Sequence, residues 1–175
     1  MNGPELRRLR TADAPDVLAA FAAASDMARQ GDVTDARGAI AYVERLTEVA
    51  GPHLAFAVVH QGRVVGVVGV TVDGGNRNGW FWYWMHAAFR GRGWTSRAAA
   101  TVADWALGQG GLHRLELGHR MDNPASGSVA RAAGFVREGV ERSKLLIDGE
   151  RLDVVAYSRL PSDPLPLVPR LPMTL

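Results

Sequence analysis

The stretch that most limits what this chain can fold into is WFWYWM, residues 80–85, which runs straight into HAAFRGRGWTS at 86–96. Side chains alternate across a strand, so Trp80, Trp82 and Trp84 share one face and Phe81, Tyr83 and Met85 the other. Both faces are apolar, which calls for a strand inside a sheet with cover on both sides. Beyond it Arg90, Gly91, Arg92 and Gly93 read as a turn, and Ala98, Val102 and Trp105 fall on one face of a helix over 97–107. A strand, a glycine turn and a helix N-terminus in succession gather main-chain N–H groups and the positive end of a helix dipole at one place. Such a place suits a phosphate or pyrophosphate.

Two nucleotide patterns fail here. No Gly-x-x-x-x-Gly-Lys-Ser/Thr string is present, and the dinucleotide pattern needs glycine at position 96, where Ser96 stands. The loop resembles that of the GNAT superfamily of N-acetyltransferases, Arg/Gln-x-x-Gly-x-Gly/Ala. Arg90, Gly93 and Thr95 fall on that spacing, with Thr95 a β-branched departure from a small residue. Residues 112–135, LHRLELGHRMDNPASGSVARAAGF, are similar to the strand, Asn-x-x-Ser and Gly-Phe segment of the RimJ/RimL-like branch, which acetylates protein N-termini and small amines. Residues 147–160, IDGERLDVVAYSRL, resemble its closing hairpin, and together the three stretches cover about half the chain.

The resemblance implies an α/β (α+β) fold: a central mixed, mostly antiparallel sheet of six to seven strands flanked by about four helices, spanning residues 1–160. It implies an enzyme that moves an acetyl group from acetyl-CoA to a primary amine, on a protein N-terminus or a small molecule, directly within a ternary complex and without metal. Arg90, Gly91, Arg92, Gly93, Trp94, Thr95 and Ser96 would hold the pyrophosphate, main-chain groups at Met85 and His86 the pantetheine arm, and Asn123 the cofactor side of the next helix. Tyr83 and Trp84 match the family's Tyr-Trp before the loop and, with His119, would face the acceptor. The first two helices and the linker 27–33 would form the acceptor wall, where Asp26, Asp32 and Asp35 read either as partners for a cationic amine or as solvated cap acids.

Glu116, matching the branch's Arg-Ile-Glu, is the first candidate general base, since a carboxylate in a closed pocket is raised toward a useful pKa by desolvation. The alternative is a structural partner for Arg114 or Arg120; His86 and His119 are further candidates. Ser126, the serine of Asn-x-x-Ser, would serve the leaving thiolate or else merely cap its helix. A tyrosine used elsewhere in the superfamily is here Ala130. A sensor or assembly module that binds acetyl-CoA without catalysis remains the second reading.

At 175 residues one domain is expected. With no cysteine, disulfides, thiolate metal sites and a cysteine-linked intermediate are excluded. A net charge of +2 without a basic run makes no nucleic-acid case. No long apolar run or signal core is seen, so a cytoplasmic protein without membrane partners is expected.

Elsewhere Asp13 and Pro15 open a helix to about Ala24, and Thr34 caps a second with Ile40, Val43, Leu46 and Val49 a turn apart. Hairpins turn at Gln61-Gly62 and Asp148-Gly149. Gly66 and Gly69 suggest a bulge or a close neighbour. Arg97 and Asp104 lie on the solvent side of their helix. Five prolines from Pro161 onward make 161–175 an extended tail, loose or packed on a second copy in a homodimer.

Overall fold

In the computed structural model, which describes residues 3–175, the sequence alternation resolves into strands and helices in the order β1 (Glu5–Arg8), α1 (Ala14–Ala22), α2 (Ala36–Thr47), β2 (His53–His60), β3 (Arg63–Asp73), β4 (Asn78–Met85), α3 (Trp94–Leu107), β5 (Arg114–Arg120), α4 (Pro124–Ala132), β6 (Val136–Ile147), β7 (Glu150–Arg159) and β8 (Met173–Thr174). Met1 and Asn2, the start of the expected 1–160 span, lie outside the described residues. One mixed sheet orders the strands β6-β7-β5-β4-β3-β2-β1-β8. Among the described residues only the β4–β5 and β1–β8 pairs are parallel. This is the mixed, mostly antiparallel sheet expected, with one strand more than six to seven because the tail supplies β8.

The two faces of β4 divide the core. Trp84 packs with Val17, Phe21, Tyr42, Val43 and Leu46 of α1 and α2, and partly buried Trp82 joins that cluster. Phe81 and Met85 pack on the other side with Ala98, Ala99, Val102 and Ala103 of α3 and Ala130 of α4. Cover on both faces therefore holds for most of the strand, but Trp80 is 44% exposed. Gly69 gives the indole of Trp82 its room, since a Cβ there would come within 2.1 Å of the ring. Both expectations for the β3 glycines hold: Gly66 borders a bulge, since consecutive Val58 and Val59 of β2 pair with Gly66 and Val64 and leave Val65 as the extra residue, while Gly69 has the close neighbour.

Both hairpins turn on two residues of positive φ, Gln61 (52°) with Gly62 (78°) and Asp148 (50°) with Gly149 (83°), as type I′ turns demand. The second helix differs from expectation. Asp35, not Thr34, is its N-cap, accepting from Gly38 N at 2.7 Å. Its buried face is Ala39, Tyr42, Val43 and Leu46; of the expected stripe Val43 and Leu46 are buried, Ile40 is exposed, and Val49 is exposed because the helix has ended at Thr47.

The tail is anchored at a few points rather than loose, though most of its residues stay exposed. Leu6 N donates to Pro172 O at 2.8 Å, and Leu171 is buried with its N–H on Thr101 Oγ1 at 2.9 Å. Arg97 donates to Pro169 O at 3.2 Å, and Asp104 accepts from Arg159 and Arg170. Arg97 and Asp104 thus face the tail, not bulk solvent. Among the described residues no helix is long and apolar enough to cross a membrane.

The consequential irregularity is at the centre of the sheet. β4 and β5 pair only at Asn78, Gly79 and Trp80 against Arg114, Leu115 and Glu116. After that β5 follows β7 as far as Arg120, and β4 continues beside β3 to Met85. The sheet therefore opens between them.

Candidate active site

Main-chain groups of a strand point alternately to either neighbour. His86 N donates to Val65 O on the β3 side at 2.8 Å. The groups of Phe81, Tyr83 and Met85, set off from it by odd steps, consequently point into the opening where β5 has left. Of the two residues expected to offer main-chain groups, Met85 stands at the opening and His86 does not. The His86 ring accepts from Ala88 N at 3.1 Å, which shapes the turn after the strand.

That turn leads to Gly91 (φ 74°) and Gly93 (φ 73°), both in the left-handed region that favours glycine. A Cβ at either would meet nothing within 4 Å, so the space before them is open. Among the described residues, none of the N–H groups of 91–96 has a hydrogen-bond partner, and Arg97 N, bonded to Gly93 O at 3.2 Å, is the first to find one. The helix behind them is α3, fourteen residues long, beginning at Trp94 rather than Arg97. Six free donors and a dipole end converge there.

The two arginines hold this turn in shape. Arg90 Nε donates to Met85 O at 3.0 Å, and its terminal nitrogens meet the Asp26 carboxylate at 2.8 and 3.2 Å, which ties the loop to the wall beside α1. Arg92 lies over the stacked rings of Phe89 and Trp94, 5.3 Å from each centroid. Neither guanidinium is directed solely at the open space.

Two cavities follow from the loop. One of about 240 Å³ is bordered by Met85, Arg90, Gly91 and Thr95; the other, of about 340 Å³, by Trp80, Trp82, His119 and Lys144. They share Asp26, Gln30, Tyr83, Asn123 and Ser126, so one channel runs through the opening. At its waist Tyr83 OH donates to Ser126 O at 2.8 Å and lies 3.0 Å from Ser126 Oγ. Burial, against the opposing effect of the Ser126 hydrogen bond, pushes the Tyr83 phenol up to about 12, so it is a neutral hydroxyl at any ordinary pH. Asn123 Oδ1 caps α4 through Ser126 N at 3.2 Å, and Pro124 follows as the first helical residue.

The remaining sites expected from sequence divide. His119 borders the larger cavity and stacks on Tyr157; its Nδ1 is 2.7 Å from Arg120 O, and its buried Nε2 has no partner. Donation from Nδ1 leaves Nε2 as a bare acceptor. Gly127 makes room for that nitrogen, since a Cβ there would lie 2.6 Å away. Trp84 borders the smaller cavity, but its indole N–H is spent on Tyr42 OH at 3.1 Å within the core. Glu116 borders neither cavity of the channel. It accepts from Arg114 Nε at 2.7 Å in an adjoining recess of about 180 Å³, which meets the larger cavity at Trp80, Leu117 and Lys144; this is the structural partnership with Arg114 that its sequence neighbours allowed. Arg29, Gln30 and Lys144 were not singled out from sequence; no local motif marks them, and only the fold brings them to the channel.

Residues 5–136 match the acetyltransferase (GNAT) domain family. The chain belongs to the GNAT family. It is 30% identical over 110 residues to the probable N-acetyltransferase YjcK of Bacillus subtilis (strain 168), covering 62% of this chain and 61% of that protein. It is 26% identical over 106 residues to the ribosomal-protein-serine acetyltransferase of Escherichia coli (strain K12), covering 60% and 59%. The matched stretch thus spans about three fifths of the length of these relatives. The solved structure of RimL, a ribosomal L7/L12 α-N-protein acetyltransferase in complex with coenzyme A, superposes with a TM-score of 0.83 at 23% identity, over 91% of this chain and 95% of that one. At that identity the likeness speaks for the fold.

Proposed function

We propose that this GNAT protein is an acetyl-CoA-dependent N-acetyltransferase acting on a primary amine by direct transfer in a ternary complex. The observation that carries the reading is the run of unpartnered N–H groups at 91–96, opening on a channel with Tyr83 and Ser126 at its waist. The open space before Gly91 and Gly93 fits a diphosphate at those donors. Main-chain groups of Phe81, Tyr83 and Met85 would hold the pantetheine arm as an added strand. When bound, acetyl-CoA supplies a thioester carbon open to attack by an amine.

The chain's own residues would manage the protons. Ser126 Oγ, paired with the neutral Tyr83 hydroxyl, would deliver a proton to the departing sulfur. His119, whose ring borders the larger cavity, is the proton acceptor we assign for the incoming ammonium, by way of a bridging water because its Nε2 is covered by Gly127; Glu116, the first candidate, has its carboxylate engaged by Arg114. The relatives' names favour a protein acceptor, one of them being a ribosomal-protein-serine acetyltransferase.

Because the chain has no cysteine, a thiol-reactive dye reads CoA release without protein background. Release that requires both acetyl-CoA and an amine or N-terminal peptide is the expected result. Binding of CoA by calorimetry with no release from any acceptor would instead establish a sensor. His119→Gln and Glu116→Gln separate the two bases: the first is expected to lower kcat about a hundredfold and the second little. The reverse pattern would return the role to Glu116.

A further inference from the structure

Behind Trp82 the larger cavity continues into a second lobe of about 290 Å³, reached past Arg29, Gln30 and Trp82, which border both spaces. Its other walls are Tyr42, Arg45, Leu46 and His53, so among the described residues it contains no carboxylate. Arg29 and Arg45 have no acidic partner among the described residues, whereas Arg90 and Arg120 are each spent on one and Arg114 on two. Tyr42 OH accepts from Trp84 and keeps its own proton to give. Trp82 is fixed as a flat wall by its N–H on Thr71 Oγ1 at 3.2 Å, the same hydroxyl that His53 Nδ1 meets at 3.1 Å.

We infer that this lobe is an anion-binding subsite, and that the acceptor carries a carboxylate or phosphate a few bonds from its reacting amine. The inference rests on the acetyltransferase reading for the word acceptor, but not for the binding of an anion. The lobe presents two guanidiniums, a phenol O–H and an imidazole against an aromatic wall, and charge-assisted hydrogen bonds from such donors are about twice as strong as neutral ones. The acids within reach do not neutralise it. Glu48 lies beside His53 and opposes Arg45 there, and Asp122 lies near Arg29 but is paired with Arg120. His53 is held below its ordinary value by burial first and by Arg45 second, so Arg45's charge reaches into the lobe. Asp26, the carboxylate of the larger cavity, is already bound to Arg90, and selection by charge falls to the cationic lobe.

Two measurements test this. In the first, glutarate and inorganic phosphate are titrated into the full chain by calorimetry, with and without Arg45→Gln. Saturable binding that weakens about tenfold in the variant is expected, and binding that is absent or indifferent to the variant overturns the subsite. In the second, N-terminal peptides with Asp or Glu, or phosphoserine, at positions two and three are compared with their Asn, Gln and serine counterparts by CoA release. Acidic peptides are expected to have roughly tenfold higher kcat/KM, a preference that Arg45→Gln removes. Equal rates for acidic and neutral peptides overturn the acceptor class. Anion binding with no CoA release from any peptide refutes the enzyme while leaving the subsite standing, so the two failures are distinct.

Discussion

Asp104 accepts from Arg159, whose side chain is 2% exposed, and from Arg170, so one carboxylate serves two guanidiniums. Removing its charge would strand a buried cation, whose Nε and Nη1 already have no partner. Asp104→Asn is therefore expected to cost about 3 kcal/mol, read as a lowered midpoint in urea, with CoA affinity little changed. At the channel's waist the sign of the pH effect follows from Tyr83. Its folded value, about 12, lies above the ordinary 10.0, so the folded state holds the proton more tightly. Stability is then intact below pH 10 and is lost as pH rises toward 12, a loss that Tyr83→Phe should reduce in unfolding curves taken across that range. Arg97 and Asp104 looked like solvated residues in the sequence because their partners, Pro169 and Arg170, are more than sixty positions away.

The β4–loop–α3 unit was legible because everything that specifies it is local: alternating aromatics, two glycines at positive φ and a helix start. Even so, the expected reason for the glycines was only half of it. They avoid left-handed strain as well as clearing the approach, and the two can be separated. Gly93→Asn tolerates the left-handed backbone, whereas Gly93→Val adds about 1–2 kcal/mol of strain. Both fill the open space, so both are expected to weaken CoA binding more than tenfold by calorimetry, while only the valine variant melts appreciably lower. CoA affinity that tracks the melting temperature would mean the loop acts through stability rather than contact. By contrast, α2 was only half legible: Val43 and Leu46 face the core, but Ile40, as apolar as they are, faces out, and Val49 lies past the helix end. Glu116 matched a motif, and alternation puts it on the polar face of β5 with Arg114; what the sequence could not show is that Arg114, bonded also to Glu138 on β6, engages its carboxylate.

At the scale of the whole molecule, the C-terminal segment closes the sheet on the edge opposite the β6–β7 hairpin. Its proline content reads as a loose tail because proline cannot join a ladder interior. The segment uses its prolines between anchors instead, with Met173 and Thr174 paired beside Leu6 and Arg7. Leu171 is 4% exposed among α3 residues, whereas Leu167, four positions earlier, is 102% exposed. This gives a comparison within one segment and one residue type. Leu171→Ala is expected to lose about 3 kcal/mol through a cavity against α3, or roughly 6–12 °C in Tm for a chain of this size. Leu167→Ala should lie within about 0.5 kcal/mol of the parent. Equal melting temperatures for the two variants would show that the segment is not docked. Because α3 also supplies the N–H cluster at its first turn, a docked tail steadies the helix that would bind the diphosphate, and Leu171→Ala should weaken CoA binding by less than it weakens the fold.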